Sequence, residues 1–119
     1  MIRFTQPRLR IVFYRTAAGA EPVRDWLHAL SRTERKIVGE DLKTVQFGWP
    51  LGMPLVRPLG DGLFEVRSQL RGRTARLVFL TVGGLLILLH AFIKKSQRIL
   101  QKELELARSR AATMTKEER

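Results

Sequence analysis

Residues 88–97 read Leu-Leu-His-Ala-Phe-Ile-Lys-Lys-Ser-Gln, and no other segment says more about how this chain folds. The apolar first half is typical of a buried strand, and it carries a histidine, an aromatic ring and two adjacent lysines to its end. Two ammonium groups at the exit of a core strand are costly unless they are paired. We therefore expect this end of the strand to face an anion.

The residues before this strand predict a second strand paired with it. Residues 77–93 carry no formal charge, and their length is at the short limit for a membrane-spanning helix. Gly83 and Gly84 lie near the middle, where glycines favour a tight hairpin turn. We therefore predict strands over residues 73–82 and 85–93 and no membrane partner. The charged N-terminus is not followed by an apolar segment, so we expect no secretory signal.

Two helices are predicted nearer the N-terminus. Pro22 opens the first, because its missing N–H costs nothing there, and apolar residues at positions 23, 26, 27 and 30 form one helical face. Ser31 and Glu34 match a capping box that opens the second helix. That helix has apolar residues at positions 38, 42 and 45 and ends near Gly48. The two helices form a hairpin that packs across a sheet.

The remaining segments complete a single α+β domain. Strands are predicted over residues 9–14 and 63–70, with a short strand in the Gly- and Pro-rich segment between them. A last helix runs from about Ser96 to Arg110, after which residues 111–119 form a polar tail. The predicted order is β-α-α-β-β-β-β-α. It gives an antiparallel sheet packed against the helical hairpin and a C-terminal helix, with residues 1–8 as an N-terminal extension.

The charge balance indicates a polyanionic partner. The chain has 119 residues, of which 22 are Lys or Arg and 11 are Asp or Glu, which gives a net charge of +11. RNA, DNA, an acidic protein and an anionic membrane all fit this charge, and a nucleic-acid backbone is the obvious choice. The absence of cysteine fits a reducing cytoplasm and excludes thiolate catalysis. His28 and His90 lack metal-ligand spacing, so we expect no metal and no cofactor.

An ordered set of fragments matches a known family. The fragments are Glu21-Pro22-Val23, Phe64-Glu65-Val66-Arg67, Arg76-Leu77-Val78-Phe79, residues 88–97 and Glu103-Leu104-Glu105-Leu106-Ala107. In this order and spacing they resemble the RelE/ParE superfamily of toxin–antitoxin toxins, in its HigB-like, phage-derived branch. The resemblance spans about residues 9–110. In one departure, Ile99 and Leu100 occupy positions where the family commonly has Thr-Pro.

The resemblance implies a RelE-like fold and a function. It implies a small endoribonuclease that enters the ribosomal A site, contacts 16S rRNA and cuts mRNA. It also implies inhibition by a small antitoxin, usually a helix-turn-helix protein. Cleavage by a ribose 2′-hydroxyl needs a proton acceptor, cations for the phosphoryl oxygens and an acid for the leaving oxygen. No metal is needed where Arg and Lys supply the positive charge.

Four residues are the candidate catalytic groups: Arg67, Arg76, His90 and Lys94. Each also has an ordinary alternative, which is a hydrogen-bonded core residue for the histidine and a surface charge for the three cations. The planar guanidinium of Arg67 suits two phosphate oxygens, with Glu65 as its orienting partner or as a general base. His90 suits proton transfer near neutral pH, and Lys94 lies two alternations further along the same face. Whether Arg76 faces His90 depends on the hairpin register, because a slip of one residue moves it to the other face.

Five further residues are candidate RNA contacts, and each also has an ordinary structural interpretation. They are Arg71, Arg73, Phe92, Lys95 and Arg98. Phe92 is either a stacking surface for a base or a core aromatic, and the cations are either backbone contacts or solvated charges. His28 is interpreted as structural or exposed. Trp26 and Trp49 are interpreted as core residues, with a platform for a nucleobase as the alternative.

Three alternative functions remain open at this stage. A toxin of the same fold poisons DNA gyrase through protein contacts and cuts no RNA. A plain nucleic-acid-binding module binds without cleavage, with an affinity that falls steeply as salt rises. A phage regulatory protein on a degenerate toxin scaffold is the third.

Overall fold

The computed structural model describes residues 7–94, 99 and 101–117 of the chain. Its elements follow the predicted order β-α-α-β-β-β-β-α, and the α+β class is confirmed. In chain order they are β1 (Arg10–Phe13), α1 (Pro22–His28), α2 (Arg32–Gly48), β2 (Val56–Gly60), β3 (Leu63–Leu70), β4 (Arg73–Val82), β5 (Leu85–Ile93) and α3 (Gln101–Glu117).

The five strands form one mixed sheet in the order β1-β5-β4-β3-β2. Strands β2 to β5 are an antiparallel meander, whereas β1 pairs with β5 in parallel. The prediction of a wholly antiparallel sheet is therefore wrong at this edge. Parallel neighbours require a crossover connection, and here α1 and α2 carry the chain from β1 at one edge to β2 at the other.

The helical hairpin α1–α2 closes one face of the sheet, which we call the hairpin face. The predicted apolar stripes are confirmed, because Val23 and Leu30 near α1 and Val38, Leu42 and Val45 on α2 are all buried. They pack in one cluster with sheet residues such as Phe79 and Leu88. The Ser31 hydroxyl accepts a hydrogen bond from the Glu34 backbone N–H at 3.1 Å, as expected for a helix N-cap.

Trp49 also belongs to the core of the hairpin face. Its ring packs edge-to-face on Phe64 and Phe79, with centroid distances of 4.9 and 5.4 Å. These contacts confirm its structural interpretation, since aromatic pairs in this geometry stabilise a core beyond the area they bury.

The apolar stretch of residues 77–93 is a hairpin, as predicted. Gly83 and Gly84 have φ of +51° and +82°, the left-handed conformations of a tight two-residue turn, and Val82 pairs with Leu85 across it. A register shift between Val78 and Phe79 interrupts the β4–β5 ladder. Among the described residues, no helix is long and apolar enough to cross a membrane.

Helix α3 packs on the opposite face of the sheet. Ala107 and Met114 are buried in a cluster with Leu80, Ile87 and Leu89. The helix extends to Glu117, so the predicted end near Arg110 is wrong. Met114 lies seven residues after Ala107 and continues the same apolar stripe. The predicted start at Ser96 lies outside the described residues.

Met114→Ala should lower the free energy of unfolding by about 2–5 kcal/mol, because it opens a cavity beneath the last turns of α3. Met53→Ala is the matched control, since Met53 is 56% exposed whereas Met114 is 7% exposed. The measurement is chemical denaturation of both variants. Equal and small effects would show that the end of α3 does not pack on the sheet.

Candidate functional site

Three rows of side chains cross the face of the sheet on which α3 packs. Cross-strand partners project from the same side of a sheet, so the register of β2 to β5 defines each row. We call the part formed by Arg57, Arg67, Arg76 and Lys94 the cationic face. The rows are Arg57, Glu65, Val78 and His90; Arg67, Arg76 and Phe92; and Gln69, Thr74 and Lys94.

The register brings the four predicted catalytic residues onto this one face. Arg76 lies between Arg67 on β3 and Phe92 on β5, one row from His90. Lys94 follows β5 directly, and its backbone N–H donates to the Thr74 carbonyl at 2.8 Å. Arg67 and Lys94 are thus one row apart on β3 and just past the end of β5, with β4 between them, which places their backbones about 12 Å apart.

A buried ion pair lies at the centre of the cationic face. The Glu65 carboxylate is 3.2 Å from the Arg76 guanidinium (Oε1 to Nη2), and the two side chains are 0% and 1% exposed. Burial raises the pKa of Glu65, and the attraction of Arg76 opposes that rise. Burial likewise lowers the pKa of Arg76, opposed by Glu65. The sequence suggested Arg67 as the partner of Glu65; the structure gives Arg76 instead.

Positive charge is in excess around this carboxylate. Arg57, Arg67 and Lys94 all act on the pKa of Glu65 in addition to Arg76, and each of them lowers it. Arg57 is exposed, and Arg67 and Lys94 are half-buried, so an anion can reach all three. The Arg67 Nε is buried and has no hydrogen-bond acceptor within the described part of the chain. The arrangement suits a phosphate group.

Sequence reasoning missed Arg57. It lies next to Pro58 in a segment broken by glycines and prolines, where no periodicity marks a strand face. Its place follows only from the pairing of Arg57 with Glu65 across β2 and β3. In the sequence, only its positive charge could have suggested a place in a phosphate-binding site.

His90 is held by the first turn of α3. Its Nε2 is 3.1 Å from Glu103 Oε2, and the two side chains are 14% and 18% exposed. Burial lowers the pKa of His90, and Glu103 opposes this less strongly. The neutral ring therefore donates from Nε2 to Glu103. The imidazole ring of His90 stacks on the Phe92 ring at a centroid distance of 5.3 Å. Glu103 is a second residue whose role the sequence did not indicate.

The other basic residues that were predicted to contact RNA lie in different parts of the molecule. Arg71 is exposed in the turn between β3 and β4. Arg73 lies on the hairpin face, where it makes a bidentate ion pair with Glu34 at 2.8–3.1 Å and lowers the pKa of that carboxyl. The structure therefore does not bring Arg73 to the cationic face. Lys95 and Arg98 lie outside the described residues.

Two structural observations complete the description of the site. His28 is exposed near the end of α1, as one of the two predicted alternatives had it. In the part of the chain that the structure describes, no group of three or more His, Asp or Glu side chains is placed to hold a metal ion.

The structure is that of a small α+β domain with a cationic sheet face, which is typical of a protein that binds a polyanion. Comparison with family models then assigns the chain to a family. The family model described as "Phage derived protein Gp49-like (DUF891)" matches residues 25–112, which include the whole cationic face. The chain therefore belongs to the phage-derived Gp49-like family, which is associated with RelE-like toxins. No curated protein matches this chain. The family is consistent with a toxin-like role.

Glu65→Gln should lower the free energy of unfolding by about 3–5 kcal/mol, because it removes the anion from a cluster of four cations. Arg76→Met should cost less, since Arg57, Arg67 and Lys94 still surround the buried carboxylate. Chemical denaturation of the two variants gives the comparison. A larger loss for Arg76→Met would mean that Glu65 is not the group that balances this face.

His90 should make the protein less stable at mildly acidic pH. The unfolded chain takes up a proton near the ordinary pKa of 6.5, whereas the folded chain does so only at lower pH. As pH falls through 6.5 the unfolded state therefore binds more protons and gains stability. The glutamine of His90→Gln still donates a hydrogen bond to Glu103 but does not titrate. As the pH falls, wild type should therefore lose stability relative to the His90→Gln variant.

The pH test is a series of denaturation curves between about pH 8 and pH 5. His28→Gln is the control, because it makes the same substitution at an exposed histidine on α1. A difference between wild type and His90→Gln that does not change with pH would contradict the burial of a neutral ring.

Proposed function

We propose that this chain is the toxin of a type II toxin–antitoxin system, in the HigB-like branch of the RelE/ParE superfamily. Its activity is ribosome-dependent cleavage of mRNA in the A site without a metal. Attack by a ribose 2′-hydroxyl leaves a 2′,3′-cyclic phosphate and a 5′-hydroxyl. The observation that carries this proposal is the position of Arg67 and Lys94 on one sheet face, around the buried pair of Glu65 and Arg76.

Arg67 and Lys94 bind the scissile phosphate in this mechanism. Negative charge builds on the phosphoryl oxygens as the 2′-oxygen attacks, and preorganised cations stabilise that charge. The guanidinium of Arg67 offers a planar pair of donors, whereas the ammonium of Lys94 acts as a compact point charge. Because β3 to β5 are rigidly paired, neither backbone has to move for the two to converge on one group.

Arg76 lies buried beneath the phosphate-binding groups and acts as a positioning residue, because it does not touch the substrate itself. It is buried against Glu65 and adds positive potential to the face directly between Arg67 and Phe92. Glu65 is too deeply buried to serve as a general base, because no substrate hydroxyl reaches a side chain that is 0% exposed. Its role is to hold Arg76 and to balance the cluster.

His90 is the candidate for proton transfer. Glu103 accepts from Nε2, which leaves Nδ1 as the nitrogen that exchanges a proton with the substrate. The lowered pKa keeps this ring neutral near pH 7, so it is ready to accept a proton. Glu103 then stabilises the imidazolium that forms, as a carboxylate does in other histidine-dependent sites. The imidazolium in turn gives its proton to the leaving 5′-oxygen, which departs as the 5′-hydroxyl.

The surrounding cations extend the RNA path. Arg57 lies beyond Glu65 at the β2 edge, and exposed Arg71 lies at the β3–β4 turn. Lys95 and Arg98 are proposed backbone or 16S rRNA contacts, and Phe92 a base contact. The cognate antitoxin is proposed to be a small helix-turn-helix protein. The net charge of +11 supports association with the polyanionic ribosome.

Arg67→Ala and Lys94→Ala should each remove about 2–4 kcal/mol of transition-state stabilisation, or roughly 30- to 1,000-fold in cleavage rate. Primer-extension mapping on mRNA translated in the presence of each variant measures this loss. Arg32→Ala is the control, since it removes the same charge from an exposed position at the start of α2.

Undiminished cleavage by both variants would defeat the assignment of the site. If wild type cuts no translated mRNA, pulse labelling of cells separates the remaining functions. A ribonuclease stops protein synthesis first, a gyrase poison stops DNA synthesis first, and a non-catalytic binding protein stops neither.

A further inference from the structure

A cavity of about 300 Å³ opens beside the cationic face, between α2 and the β2 edge of the sheet. A volume of this size is at the lower end for small-molecule sites and suits one ring system. Its lining combines apolar and polar side chains and includes one residue of the cationic face. The lining residues are Ile37, Asp41, Pro54, Leu55, Arg67 and Gln69.

The cavity exists because β3 is longer than its neighbour β2. The pairing of β2 with β3 begins at Val56, opposite Val66. The Arg67 backbone N–H still donates to the Leu55 carbonyl at 2.9 Å, but β3 continues beyond this bond to Leu70. Gln69 therefore lies past the end of β2, where α2 and the segment before β2 form the walls.

The polar groups of the cavity have unused hydrogen-bonding capacity. The Asp41 carboxylate is half-buried and has no ion-pair or side-chain hydrogen-bond partner among the residues described. The Gln69 side chain accepts from the Thr74 hydroxyl at 3.0 Å through Oε1. That bond orients the amide and leaves its NH₂ group to donate.

We infer that this cavity is a nucleobase subsite and that it takes guanine; the inference rests on the proposed ribonuclease function. A carboxylate repels phosphate but accepts hydrogen bonds, so the part of RNA that Asp41 can bind is the set of N–H donors on a base. Guanine has two adjacent donors, N1–H and the N2 amino group, beside the O6 acceptor. Asp41 accepts from the two donors and the Gln69 amide donates to O6. No other standard base presents two adjacent donors and a neighbouring acceptor.

The position of the subsite fits one continuous strand of RNA. Arg67 lines the cavity and also belongs to the cationic face, so a base in the cavity and a phosphate on the face share this side chain. Ile37, Pro54 and Leu55 supply apolar walls for the faces of the base. The subsite would set the sequence preference of cleavage, whereas the cationic face would bind any phosphate.

Fluorescence anisotropy with labelled hexanucleotides UUXUUU, where X is G, A, C or U, tests the inference. The 2′-hydroxyls are replaced by 2′-fluoro groups, so that the intact chain binds without cutting. Wild type should prefer X = G by about tenfold, the discrimination expected of one bidentate contact to a base. Asp41→Asn should bind all four hexamers within about twofold of one another.

Asp25→Asn is the matched control, because it makes the same charge change at an exposed position on α1. It should keep the preference for guanine. A wild type that binds the four hexamers equally, or not at all, overturns the subsite, as does a preference that survives Asp41→Asn. Cleavage of translated mRNA is measured separately, so the loss of the subsite would leave the proposed function standing.

Discussion

The buried contact between Glu65 and Arg76 is the constraint on which the arrangement of this protein depends. Arg67 and Arg76 lie directly opposite each other on neighbouring strands, and like charges in that position destabilise a sheet. A single carboxylate, fully buried one row away, offsets this repulsion and holds Arg76 at the base of the cationic face. Without it, four cations would have to share one face unaided.

The two faces of the sheet differ in what they do. The hairpin face is closed by α1 and α2 around an apolar core, and the predicted RNA contact Arg73, which lies on this face, is bound to Glu34. On the other face, α3 packs over Leu80, Ile87 and Leu89, while the cations lie at the other end of the same strands. Sequences break the local rules of stability mainly where function requires it, and the charged rows fit that expectation.

Periodicity was enough to predict most of the elements but not their partners. The apolar stripes of α1 and α2 and the glycine turn of the last hairpin are local patterns, and each appears where it was expected. The direction of β1 is not local, since alternation looks the same in parallel and antiparallel strands. The places of Arg57 and Arg76 required the register, and the end of α3 required knowing that Met114 meets the sheet.

The most direct test of a phosphate-binding face is an NMR titration of the intact chain with uridine 3′-phosphate, which has the chemistry of a cleavage product. Saturable shifts are expected at the backbone amides of residues 67, 76 and 94 and at the side chains of Arg67 and Arg76. Those shifts should weaken as salt rises, and Arg73 on the hairpin face should give none. Shifts confined to the hairpin face, or spread evenly over all basic residues, would contradict the account.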